Sequence, residues 1–181
     1  MTLKSKTIIL GVTGGIAAYK TGELIRLLKK EGANVHAVLT RAAQHFVTPL
    51  TVQTLSQNPT HTDLFDLTEE QRIGHVDLAE AAHLVVVAPA TADFLAKAAH
   101  GLADDLLTTL LLVTRAPVLL CPSMNCNMWE HKLTQKNIAA LKELGHKFLD
   151  PEEGELACGT TGKGRLCEPD KIVQTIHQIL H

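Results

Sequence analysis

The 181-residue sequence predicts an α/β protein, a doubly wound three-layer α/β/α arrangement around a parallel sheet. Three observations carry that expectation. Short, almost unbroken apolar runs recur along the chain, as strands buried on both faces of a parallel sheet require. Segments with apolar residues at helical spacing separate them. Several runs end in loops rich in glycine, threonine or asparagine, and in such folds ligands sit beyond the carboxyl ends of the strands.

The first strand is Thr7–Val12, an apolar run bounded by glycine. A helix over 15–31 follows, with Ile16, Leu24, Leu27 and Leu28 on one side, charged residues between them, and Gly32 as its stop signal. Asn34–Thr40 is the second strand, Leu84–Ala90 the third, Pro117–Pro122 the fourth and His146–Asp150 a weaker fifth. Helices fit at about 92–100, 103–113, 127–144 and 170–180, and a further one leads from His75 into the third strand. The tail "ACGTTGKGR" has no periodicity and is expected to be a mobile, glycine-rich loop. One domain is expected for a chain of this length.

Composition narrows the functional classes. Hydrophobic residues make up 45% and charged residues 20%, ordinary for a soluble globular protein. A formal net charge of -2 gives no reason to expect nucleic acid or a membrane as partner. The N-terminal apolar run meets glycines too soon for a signal peptide, and no run reaches the ~18 residues of a spanning helix. The expected compartment is the cytoplasm, where Cys121, Cys126, Cys158 and Cys167 would be reduced. They form no C-x-x-C pair, and their spacing argues against zinc, so no metal is expected.

The loops after the strands carry the candidate chemistry. "GVTGGIAAYK" combines a glycine turn with a helix start, a place for a phosphate, but it lacks the G-x-G-x-x-G spacing. Thr40 and Arg41 follow the second strand where a dinucleotide site would carry an acid, and a hydroxyl with a cation suits a phosphate better than a ribose diol. In "APATADFLAK", Thr91 either caps a helix or meets a ligand. In "CPSMNCNMWEH", Met124 and Met128 would share a helix face, and Asn125 has an amide suited to binding a carboxylate. His75 is not singled out by position alone. Walker A fails in "ACGTTGKGR", because Ala157 and Gly164 stand where that motif needs glycine and Ser/Thr.

Taken together, five segments resemble the flavin-dependent cysteine decarboxylases, a family with a flavodoxin/Rossmann-like fold, and in particular its coenzyme A branch. They are "GGIAAYK", "GHVDLA", "PATAD", "PSMNCNMW" and "ACGTTGKGR", in the family's order. The resemblance implies bound FMN, with Gly14, Gly15, Ile16 and Thr40 at its phosphate end. Phe46, Thr91, Ala92, Asp93 and Phe94 would line the ring or ribityl chain, with Ser123 near the isoalloxazine. Asp93 departs from the family's asparagine, and an ionised aspartate cannot donate a hydrogen bond.

His75, Asn125 and Cys158 match the family's active-site residues. Asn125, Met128, Ala157, Lys163 and Arg165 fall on the substrate side. The implied substrate is 4'-phosphopantothenoylcysteine, whose thiol is oxidised by the flavin so that CO2 can leave, before protonation and reduction give 4'-phosphopantetheine. Asn125 would bind the carboxylate, His75 assist the oxidation and Cys158 donate the final proton from a loop with glycine hinges. The family assembles as trimers or a dodecamer built from them. It also holds peptidyl-cysteine decarboxylases and flavin prenyltransferases, and a non-catalytic flavin-binding regulator is a further alternative. Many members of the coenzyme A branch carry a fused ligase.

Overall fold

The computed structural model describes residues 2–64, 74–157 and 159–181 of the protein, with the backbone alone at Gly74 and His75. A central sheet contains β1 (Thr7–Val12), β2 (Asn34–Leu39), β3 (Thr60–His61), β4 (Leu84–Ala90), β5 (Val118–Pro122) and β6 (Lys147–Phe148), all parallel. The helices are α1 (Thr21–Lys30), α2 (Pro49–Ser56), α3 (Gly74–Ala81), α4 (Ala92–Ala99), α5 (Leu106–Val113), α6 (Cys126–Glu130), α7 (Lys132–Glu143) and α8 (Pro169–Leu180). An antiparallel hairpin of β7 (Glu152–Glu155) and β8 (Thr161–Arg165) forms a separate two-stranded sheet. The strand order β3-β2-β1-β4-β5-β6 is doubly wound, with the switch of direction between β1 and β4.

Alternate side chains of each strand enter different layers. Ile8, Leu10 and Val12 of β1 pack with Leu24, Ile25 and Leu28 of α1 and with Ile172 and Ile176 of α8. Ile9 of β1 and Val85 and Val87 of β4 enter the other core, with Phe94, Leu95, Leu107, Leu110, Trp129 and Ile138. Both faces are therefore covered. Every residue of β4 is buried, which is why its sequence shows no polar alternation.

Several elements differ from the sequence expectation. The helix over 15–31 is a 3-10 turn, Ile16–Lys20, followed by α1. Thr21 and Gly22, both poor helix formers, sit at the junction. The segment 127–144 is broken at His131, whose extended backbone ends α6 while its Nδ1 accepts from Leu133 N–H at 3.2 Å at the start of α7. Met124 precedes α6, so it does not share a helix face with Met128. α2 escapes the periodicity argument because only Val52 and Ser56 are buried in it, whereas Leu50 is 72% exposed.

The tail "ACGTTGKGR" is not a free loop throughout, since Thr161–Arg165 is strand β8. Gly162 and Gly164 are there for close approach and not as hinges. A Cβ at Gly164 would overlap the Met124 carbonyl oxygen, and one at Gly162 would stand 2.9 Å from the Cys126 Cβ. Of the three glycines in this segment, Gly159 alone has a left-handed backbone, φ 80°. Cys158 lies outside the described residues.

No helix among the described residues is long and apolar enough to cross a membrane. No three His, Cys, Asp or Glu side chains among them gather as metal ligands. Cys121 and Cys167 are buried, and burial pushes both thiols up. Cys167 donates to the Asp150 carbonyl at 2.9 Å.

One packing contact is directly testable. A Cβ at Gly11 of β1 would stand 2.6 Å from Cδ1 of the buried Leu107. Gly11→Ala is expected to cost about 1–3 kcal/mol through overpacking, and Leu107→Ala about 2–5 kcal/mol through its cavity. In the double variant the new methyl fills part of that cavity. Urea unfolding should therefore show a loss smaller than the sum of the single losses, and strict additivity would contradict the contact.

Candidate active site

β1 and β4 are neighbours whose outgoing loops diverge, which opens a crevice at their carboxyl ends. Thr13, the first residue after β1, ties the two loops together. Its Oγ1 donates to the Pro89 carbonyl at 2.7 Å and accepts from the Thr91 N–H at 3.0 Å. Only a small hydroxyl side chain does both at once in a site 2% exposed.

The glycine loop forms one wall. A Cβ on Gly14 would overlap the Ala42 side chain and stand 2.9 Å from its carbonyl carbon, so the loop after β2 lies directly against it. Thr40 N–H donates to Val12 O at 3.1 Å, and Thr40 Oγ1 accepts from Ala43 N–H at 3.2 Å. The Thr40 hydroxyl proton is thereby left as a donor. Gly14, Gly15, Ile16, Thr40 and Arg41 all line the crevice.

Thr91 opens the second wall as the N-cap of α4, its Oγ1 accepting from Phe94 N–H at 3.3 Å. Thr91 caps the helix while also standing on the crevice wall. Ala92, Asp93 and Phe94 also line it, although Phe94 is mostly committed to the core. Asp93 lies 3.6 Å from the Lys97 ammonium, which also meets Asp104 at 2.9 Å. That hydrogen bond holds Lys97 above the usual lysine pKa and Asp104 below the usual carboxylate range.

The third wall follows β5. Asn125 is the N-cap of α6, with Oδ1 accepting from Asn127 N–H at 2.9 Å. This fixes the amide plane at the crevice, where Ser123, Met124 and Met128 are its neighbours. Ser123 Oγ donates to Gly164 O at 3.2 Å and Met124 N–H to the same oxygen at 3.0 Å, which docks the β7–β8 hairpin on this loop. Residues 155–157 and 164–166 of the hairpin region close the crevice, including Ala157 and Arg165.

The resulting cleft has a volume of about 1520 Å³. Pockets for a single small ligand run to roughly 300–1,000 Å³, so a cofactor and a substrate have room together.

Not every expected residue reaches the cleft. Phe46 is 45% exposed and is not part of its wall. Lys163 lies over the Trp129 ring, 5.3 Å from its centroid, and 3.4 Å from Asp150. His75 falls in the first turn of α3, with its side chain outside the description, and Cys158 lies outside the described residues. Two wall residues escape the sequence argument. Thr13 had a signal, as the first polar residue between an apolar strand and two glycines. Lys20 had none, since its partner Glu168 is far away in sequence.

The sequence matches the Flavoprotein family over residues 1–181. It is 49% identical over 172 residues to the coenzyme A biosynthesis bifunctional protein CoaBC of Haemophilus influenzae, covering 95% of this chain and 43% of that protein. Identity to the Bacillus subtilis protein of the same description is 46%, over 95% of this chain and 42% of that one. The chain thus spans less than half the length of these curated relatives. A PPC decarboxylase mutant complexed with pantothenoylaminoethenethiol superposes with a TM-score of 0.87 at 30% identity, covering 96% of this chain and 97% of that one. The FMN-dependent cysteine decarboxylase SpaF does so with the same TM-score and identity, covering 99% of this chain and 100% of its own. By the family match and the near-complete overlap with these proteins, the chain belongs to the flavoprotein family.

Proposed function

We propose that this chain is a cytoplasmic FMN-dependent decarboxylase that converts 4'-phosphopantothenoylcysteine to 4'-phosphopantetheine. The observation that carries this is that the glycine loop and the Asn125 loop line one cleft. The cradle of Gly14, Gly15, Ile16 and Thr40 suits the phosphate of FMN, because it offers a hydroxyl proton beside two glycines whose lack of a side chain lets a ligand approach the backbone where a helical turn begins. Ala92, with no polar side chain, suits a flat ring. Similarity to a PPC decarboxylase and to an FMN-dependent cysteine decarboxylase supports the same reading.

Bound FMN would supply the two-electron exchange that turns the substrate's carboxylate into a leaving group. The chain's own residues do the rest. The Asn125 amide, anchored at the cleft wall by the bond from Asn127 N–H to its oxygen, binds the substrate's carboxylate. Met128 at the cleft wall gives the substrate an apolar contact. His75 stands by as the base for the thiol proton, and Cys158 donates a proton to the carbon that CO2 has left. The active species is a homo-oligomer built from trimers, in which His75 serves a neighbouring chain's cleft. The exposed apolar side chains of Ile16, Tyr19 and Phe46 support it.

Mass spectrometry after incubation with phosphopantothenoylcysteine and, separately, with peptides ending in cysteine tests the reaction. Loss of CO2 from the first and not from the second is expected. Decarboxylation of the peptides alone, or of neither, contradicts the proposal. In the same assay Cys158→Ser should release CO2 and stall before phosphopantetheine, and normal product from that variant removes Cys158 from its role. Sedimentation equilibrium should return three times the chain mass or a multiple of it, and a monomer contradicts the assembly.

A further inference from the structure

Lys20 and Arg165 come from distant parts of the chain, and both line the cleft. Lys20 ends the 3-10 turn after the glycine loop, and Arg165 ends strand β8 of the hairpin. A single oxygen joins them. Glu168 Oε1 accepts from Lys20 Nζ at 2.9 Å and from Arg165 Nη2 at 2.7 Å. Glu168 is the N-cap residue of α8, yet its side chain makes no capping hydrogen bond. Its carboxylate is turned toward the two cations instead, and the Lys20 ammonium, its main partner, holds its pKa below the usual carboxylate range.

The trio carries one positive charge in excess. A lysine has three N–H donors and an arginine five, and Glu168 uses one from each. Lys20 is only 12% exposed along its side chain, so its ammonium is held in the wall and does not sweep through solvent. The Arg165 side chain is held as well, crossing Gly154 of the partner strand, where a Cβ would stand 3.1 Å from its Cδ. Exposed ion pairs contribute little to stability. Two immobilised cations sharing one carboxylate at a cleft wall are better suited to a second anion, and phosphate accepts from Arg and Lys together.

We infer that Lys20 and Arg165 form the seat for the phosphate monoester at the far end of the substrate, and that Glu168 is the positioning residue that holds both. This rests on the reaction proposed above. Lys163 is not part of the seat, because Trp129 and Asp150 hold it away from the cleft wall.

The test compares kcat/KM for phosphopantothenoylcysteine and for its dephosphorylated form, pantothenoylcysteine. The wild-type protein should prefer the phosphorylated compound. Lys20→Met and Arg165→Met should each lower that preference at least about tenfold, the equivalent of 1.4 kcal/mol, mainly through KM. Glu168→Gln should raise KM for the phosphorylated compound more than for the other, a split that a merely structural role would not produce. Lys163→Met should keep the wild-type preference. Affinity for FMN relative to riboflavin should stay as in the wild type throughout. An unchanged preference in both cation variants overturns the seat. So does a collapse of the FMN-over-riboflavin preference, which would assign the cations to the cofactor's phosphate. A wild-type protein that decarboxylates both compounds equally sinks the seat alone, whereas one inert on both sinks the proposed reaction along with it.

Discussion

The Thr13 hydroxyl is the contact on which the cleft depends. At the switch between β1 and β4 the two outgoing loops must part to leave a crevice, yet keep a fixed separation for it to have a shape. A single side chain meets both demands, giving a proton to Pro89 O and taking one from Thr91 N–H. From there the connection continues. Thr91 caps α4, Ala90 O receives Ser123 N–H at 3.1 Å, and Ser123 with Met124 holds the hairpin through Gly164 O. Four loops from separate parts of the chain thereby share one hydrogen-bonded rim. Losing the Thr13 hydroxyl would leave the partly buried Thr91 amide without its acceptor and Pro89 O with the Thr13 N–H at 3.3 Å, at a cost of about 1–3 kcal/mol for the unpaired amide.

The charges around the rim follow a pattern that stability does not explain. Lys97 is shared by Asp93 and Asp104, and Glu168 is shared by Lys20 and Arg165. The first group carries an excess of negative charge and the second an excess of positive charge. Ion pairs with an exposed partner add little to stability. Their consequence is local, since each fixes a charged side chain in the cleft wall and gives its part of the wall a sign. Asp93 stands where relatives are expected to carry asparagine, and its Lys97 contact shows where the added charge goes.

Much of this architecture could be read from the sequence, because the main strands are unbroken apolar runs and their bounds follow from where polarity begins. β1 and β4 coincide with the predicted runs. The glycine loop, Thr40, Thr91 and Asn125 were legible as strand-end residues, and the structure brings them to one cleft. What stayed hidden depends on pairing across the chain. The β7–β8 hairpin has alternating glycine and charged residues, no apolar period, and is held by Gly164 against Met124. Lys20 and Glu168 are separated by 148 positions, so no spacing rule connects them. The 3-10 turn before α1 likewise reflects burial of Ala17 and Ala18 and not a sequence period.

The crevice organised by Thr13 is the proposed seat of the flavin phosphate. Equilibrium titration of the flavin-free protein with FMN and with riboflavin, repeated on Thr13→Val, tests it most directly. The account predicts that FMN binds at least about tenfold tighter than riboflavin, as charge-assisted hydrogen bonds to a phosphate should give, and that Thr13→Val loses most of that difference. Equal affinity for the two flavins, or an undiminished preference in Thr13→Val, would contradict it.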